Sequence, residues 1–256
     1  MKNKKMLYLA IGGVVLIGIA AEAWHWLNQI PEVRMALVSE KDKPTPVTND
    51  WRLALLECAN LKAENGIKAS VNSQFERFIL NRETGKITPV DNVTARFNWP
   101  RDLMKEPADA PSSAKSVHIK RLPVELPFWK VKDSDDVIIP IVAQGKYGLG
   151  AGFVAVNLPE KTIANVRFYH SEDSPGLGQE VLRPDFGQRF VNKSLFDASG
   201  KFALQIVRPS KTAAANNKPF EVDGITGATM MSDGLEEALS FWTSRAAYGV
   251  VFDLSV

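Results

Sequence analysis

The 256-residue sequence holds one cysteine, Cys58, so no disulfide can form within the chain. A cysteine-rich zinc or iron–sulfur site is excluded for the same reason. Histidine is also scarce: His25, His118 and His170 are the only three, too few to suggest a multi-histidine metal site. Charge is nearly balanced, with 31 basic and 29 acidic side chains and a net charge of +2. That balance supplies no basic field to attract nucleic acid. No glycine-rich dinucleotide fingerprint follows a strand pattern, and no P-loop occurs, so neither a Rossmann cofactor nor nucleotide hydrolysis is indicated. No internal repeat is found.

What is present begins at the N-terminus. Lys2, Lys4 and Lys5 precede an apolar run over 6–27, with Trp24 and Trp26 at its far end. As a helix this run would extend about 33 Å, close to the thickness of the hydrocarbon layer. Aromatic rings favour the membrane interface. The expectation is a single retained anchor in the bacterial inner membrane, its basic end cytoplasmic and the large domain on the periplasmic side. Ala21-Glu22-Ala23 leaves a cleaved signal peptide as the alternative.

The rest divides into a proline-bearing linker over 28–50, a helical and irregular region over 51–117, and a main domain over 118–256. In the second, Asp50 is placed to cap a helix that Gly66 would end. Cys58 falls inside that helical pattern and reads as a small buried side chain. Residues 70–87 fit helix and strand equally well. The segment 99–117 carries three prolines and reads as irregular.

Strand patterns follow. "LPFWKV" and "VIIPIVAQG" flank the turn "KDSDD", and "GAGFVAVNL" and "TIANVRFYH" flank "PEK". A further strand is expected at 201–207. After 229 the pattern is helical, with Met230, Met231, Leu235, Ala238, Leu239 and Trp242 near one face. The fold class is therefore α+β: an N-terminal transmembrane helix, then an extracytoplasmic domain with an antiparallel sheet and packed helices.

Three glycine-containing stretches are candidate site elements. Pro175, Gly176, Leu177 and Gly178 make a tight turn that would let backbone approach a ligand. Gly145, Lys146 and Tyr147 belong to a glycine-rich strand connection, where a flexible hairpin is the simpler reading. In "DGITGATMMS", residues 223–232, Asp223 could bond the turn, and Thr226, Thr229 and Ser232 read first as helix-start residues. Threonine is a weak nucleophile without a base, and the nearest candidates, His170 and Asp173, are distant in sequence. Backbone N–H groups at this helix start would favour a phosphate.

Asp223-Gly224-Ile225-Thr226-Gly227-Ala228-Thr229 resembles the flavinylation motif of FMN-binding domains: Asp, two variable residues, Ser or Thr, then Gly-Ala-Thr. The resemblance implies FMN joined by a phosphoester to Thr229, attached by a separate flavin transferase. It assigns Asp223, Thr226, Gly227 and Ala228 to the recognition pattern. The turn Pro175-Gly176-Leu177-Gly178 is similar to the family's Pro-Gly-Leu-Gly turn, and Lys146 lies in the companion segment. Asp173-Ser174 stands where the family often has Glu-Thr. Glu172 stands where a histidine is common, so His170 inherits no role. The companion segment lacks the family's tryptophan.

Length and the N-terminal run make the chain similar to the C subunits of Na+-translocating NADH:quinone reductases. That similarity implies electron transfer through FMN, with other membrane subunits as partners and electrons passing ultimately to quinone. The isolated chain would catalyse nothing, and no NADH site is seen. The alternatives are the G subunit of Rnf electron-transport complexes and an anchored binding module without flavin.

Overall fold

The chain divides into two units, Met1–Pro46 and Val47–Val256. In this computed structural model the described residues are 50–92, 99–106, 108–208 and 218–253, all within the second unit. Its first helix, α1, runs Trp51–Cys58. Asp50 caps it as expected, its carboxylate accepting the Arg52 backbone N–H at 2.9 Å. The helix stops at Cys58, and Gly66 instead precedes the second helix, α2 (Ile67–Gln74).

The stretch whose periodicity fits helix and strand alike contains both elements. Helix α2 passes directly into strand β1 (Phe75–Asn81), which is followed by β2 (Ile87–Pro89). Four more strands complete the sheet: β3 (Glu125–Val131), β4 (Asp136–Gln144), β5 (Leu149–Asn157) and β6 (Thr162–Ser171). The order is β2-β1-β3-β4-β5-β6, with every neighbouring pair antiparallel.

Strands β4 and β5 are buried along nearly their whole length, so both sheet faces are covered there. Pro140 sits inside β4, where a missing N–H would normally break a ladder. The β3–β4 pairing covers only Trp129↔Ile138 and Lys130↔Val137, so it ends before Pro140.

The region 99–117 is mainly irregular, with short 3-10 turns at Arg101–Met104 and Ser112–Ala114. Beyond β6 a 3-10 turn, Gly178–Leu182, leads into the short helix α3 (Pro184–Gln188). The strand expected over 201–207 is shorter than its pattern. Phe202 makes an isolated bridge to Phe196, and the strand itself is β7 (Gln205–Val207), which pairs in parallel with β8 (Glu221–Asp223). This pair stands apart from the antiparallel sheet.

The last helix, α4 (Thr229–Trp242), packs on β4. The Trp242 indole N–H donates to the Val142 carbonyl at 2.9 Å. Met231, Leu235, Ala238, Leu239 and Trp242 form its buried face as expected. Met230 does not join them and is 55% exposed.

A partly buried ion pair ties the first helix to the sheet. The Arg167 guanidinium on β6 is 2% exposed and meets Glu57 at 2.6 Å. It also donates to the Leu182 carbonyl. Such a charge is tolerated in a core only with partners of this kind.

The expected membrane-spanning helix requires correction. Among the described residues no helix is long and apolar enough to cross a membrane. The stretch 6–27 and the linker lie outside the described residues. The fold class is therefore α+β for the described residues, without the transmembrane element, and the single-pass inner-membrane placement is withdrawn with it.

Candidate functional site

Three separate turns meet at one cleft of about 240 Å³. The β4–β5 connection supplies Lys146 and Tyr147. The segment after β6 supplies Asp173, Ser174, Leu177 and Gly178. The start of α4 supplies Gly227, Ala228, Thr229, Met230 and Met231. Of the residues singled out in the sequence, Asp223, Thr226, Pro175 and Gly176 are not in the cleft wall.

Thr229 is the first residue of α4, and its side chain is exposed. Among the described residues no side chain caps this helix start. An uncapped N-terminus presents backbone N–H groups and the positive end of the helix dipole. Together these make a place for an anionic group beside the Thr229 hydroxyl. Lys146 adds a cation to the same cleft, its ammonium 5.0 Å from the centre of the Tyr147 ring.

Ser232 is not the helix cap that its spacing suggests. It lies one turn inside the helix, buried, and its hydroxyl accepts the Ile225 N–H at 3.2 Å while donating to the Ala228 carbonyl at 3.1 Å. The turn before Thr229 is thereby folded onto the helix it feeds. Gly227 makes that turn with φ +79, a left-handed value that suits glycine. A side chain there would also press on Leu177, at 3.2 Å.

Asp223 does not supply the turn's hydrogen bonds either. Its Oδ1 is buried without a partner among the described residues. The strand end is held by Arg189, which donates to the carbonyls of Asp223 at 3.2 Å and Gly224 at 2.8 Å. Sequence reading missed Arg189, since nothing local marks a side chain that works 34 residues away.

Two adjacent carboxylates hold the β4–β5 connection, and of the two Asp173 lines the cleft. Asp173, only 7% exposed, accepts the Tyr147 N–H at 2.8 Å. Glu172 accepts the Leu149 N–H at 2.7 Å. A Cβ at Gly145 or Gly178 would overlap the Asp173 carboxyl, so two glycines enclose it. His170 is not paired with Asp173. It faces Glu172 at 3.6 Å and lines a neighbouring groove of about 730 Å³ with Trp51, Trp99 and Tyr169. Tyr147 borders both spaces.

Among the described residues the cleft thus combines an exposed hydroxyl, an uncapped helix start, the Lys146 cation, the Asp173 carboxylate and the apolar side chains of Leu177, Met230 and Met231. These residues fit a planar cofactor held by a phosphate.

Residues 145–244 match the FMN-binding domain family. The matched span takes in all three turns of the cleft. Over 113 residues the chain is 35% identical to the C subunit of the Na(+)-translocating NADH-quinone reductase of Yersinia pestis, covering 44% of this chain and 41% of that one. The corresponding protein of Vibrio campbellii is 29% identical over 210 residues, 78% of this chain and 79% of its own length. NqrC of Shewanella oneidensis shares the fold with a TM-score of 0.69 at 24% identity, over 79% of this chain and 94% of that structure. The C subunit from Parabacteroides distasonis gives 0.59 at 24% identity, over 81% and 94%. The chain is thus similar to FMN-binding domains over 145–244 and, in sequence, to C subunits of Na(+)-translocating NADH-quinone reductases, and it shares the fold of two of them.

Proposed function

We propose that this protein is the FMN-carrying, electron-transferring subunit of an Na+-translocating NADH:quinone reductase, with FMN joined through its phosphate to the Thr229 hydroxyl. The observation that carries the reading is the placement of Thr229. It is exposed at an uncapped helix start, in a cleft shared with Lys146 and Leu177, inside the span similar to FMN-binding domains.

FMN supplies one- and two-electron chemistry when bound. The chain's own residues do the rest. The helix start and Lys146 hold the phosphate; Leu177, Met230 and Met231 offer an apolar face that keeps water off a ring. Gly227 and Ala228 shape the approach to Thr229, and Pro175, Gly176 and Gly178 form the facing turn. Asp223 and Thr226, outside the cleft wall, belong to what a flavin transferase recognises.

In this reading Thr229 needs no base of its own. A hydroxyl modified by a separate transferase needs exposure rather than its own activation. The tethered FMN would exchange electrons with other subunits of the complex, which pass them to quinone, and the isolated chain would turn over no substrate. Co-expression with a flavin transferase, followed by a denaturing gel viewed under ultraviolet light, tests this. A fluorescent band supports covalent FMN, and a dark band from protein shown to be folded contradicts it.

A further inference from the structure

We infer that Asp173 is a potential-setting residue: its buried carboxylate holds the reduction potential of a flavin in the cleft below the value it would have beside a neutral side chain. The inference rests on the cleft holding FMN.

The carboxylate is 7% exposed and borders the same 240 Å³ space as Thr229. Any ring seated in so small a volume lies within a few ångströms of it. Each electron that enters a flavin adds a negative charge until a proton follows. A nearby carboxylate, poorly screened by solvent, opposes that charge. Among the described residues Lys146 is the other charged residue of the cleft wall, and it acts in the opposite direction. Its side chain is exposed to solvent, which screens it, whereas Asp173 is shielded.

The position of the charge is fixed. Asp173 accepts the Tyr147 N–H at 2.8 Å, and its own N–H donates to the Ser171 hydroxyl at 3.3 Å. Gly145 and Gly178 leave room for this carboxyl and for nothing on their own Cα atoms. Burial and the Tyr147 N–H hold the carboxylate at the cleft. A neutral acceptor would serve a purely structural clamp equally well.

Asp173→Asn separates the two roles, because the amide oxygen can still accept the Tyr147 N–H. Asp173→Ser is a second neutral variant, smaller and also able to accept. Each would be made in the full chain, co-expressed with a flavin transferase, checked for fold by circular dichroism and for covalent FMN by absorbance. The midpoint potential of the loaded protein is then read by spectroelectrochemical titration. The inference expects both loaded variants to titrate at a higher potential than the parent. A loaded variant with an unchanged or lower potential overturns it. So do two folded variants that take up no FMN, since Asp173 would then be required for holding the flavin. If the parent itself carries no FMN, the proposed function fails first and this inference falls with it.

Discussion

The Ser232 hydroxyl accepts the Ile225 N–H at 3.2 Å, so the turn that presents Thr229 is fastened to the helix Thr229 begins. The same hydroxyl donates to the Ala228 carbonyl at 3.1 Å. Replacing it with alanine leaves a buried N–H without its acceptor. Ser232→Ala should lower stability by about 1–2 kcal/mol and reduce the extent of flavin loading. Denaturant titration and flavin absorbance per protein check the two effects separately.

Gly178→Ala should be harmful although it adds only a methyl group. The new Cβ would overlap the Asp173 carboxyl, which also lies against Gly145. Overpacking of this kind costs about 1–3 kcal/mol. The expected result is a lower denaturation midpoint together with poorer FMN loading, because the displaced carboxylate releases the Tyr147 turn.

The Glu57–Arg167 contact joins residues 110 positions apart across the fold. Arg167 is nearly fully buried, whereas Glu57 is 32% exposed. Glu57→Ala takes away the carboxylate that faces the buried guanidinium. A loss of about 2–3 kcal/mol is expected from charged hydrogen bonds of this type, read by urea unfolding.

Cys58 should resist thiol reagents in the folded protein. Burial pushes its pKa well up, and its thiol lies 3.7 Å from the Asn165 carbonyl. Native protein is expected to label far more slowly than protein in denaturant. The pH consequence has a definite sign. The folded state holds this proton more tightly than the unfolded chain does. The resulting stability is present below the ordinary thiol range and declines as pH rises above it. Burial shifts Tyr169 and Tyr248 the same way, so they reinforce the alkaline decline. Unfolding free energies measured from neutral to alkaline pH check the sign.

Local patterns revealed what local physics determines. The paired strands around "KDSDD" and "PEK", the Asp50 cap and the buried face of α4 could all be read from periodicity and turn chemistry. The motif over 223–229 and the turn over 175–178 marked two cleft walls by resemblance. The remaining features depend on contacts that no local window contains. Met230 follows the core pattern of α4, yet the cleft opens at that point and leaves it exposed. Ser232 carries a capping residue's chemistry, but the helix begins three residues earlier, so its hydroxyl works from inside. Asp173 and Arg189 act on residues 26 and 34 positions away. Pro140 looks unsuitable for a central strand until the early end of the β3–β4 ladder is known.

The claim that FMN is carried on Thr229 is tested most directly by mass spectrometry of the full chain, made with a flavin transferase and digested. The account predicts that the peptide spanning 223–232 carries the mass of FMN less one water, localised to Thr229, and that Thr229→Ala yields the peptide unmodified. FMN found on another residue, or still covalently present in Thr229→Ala, would contradict it.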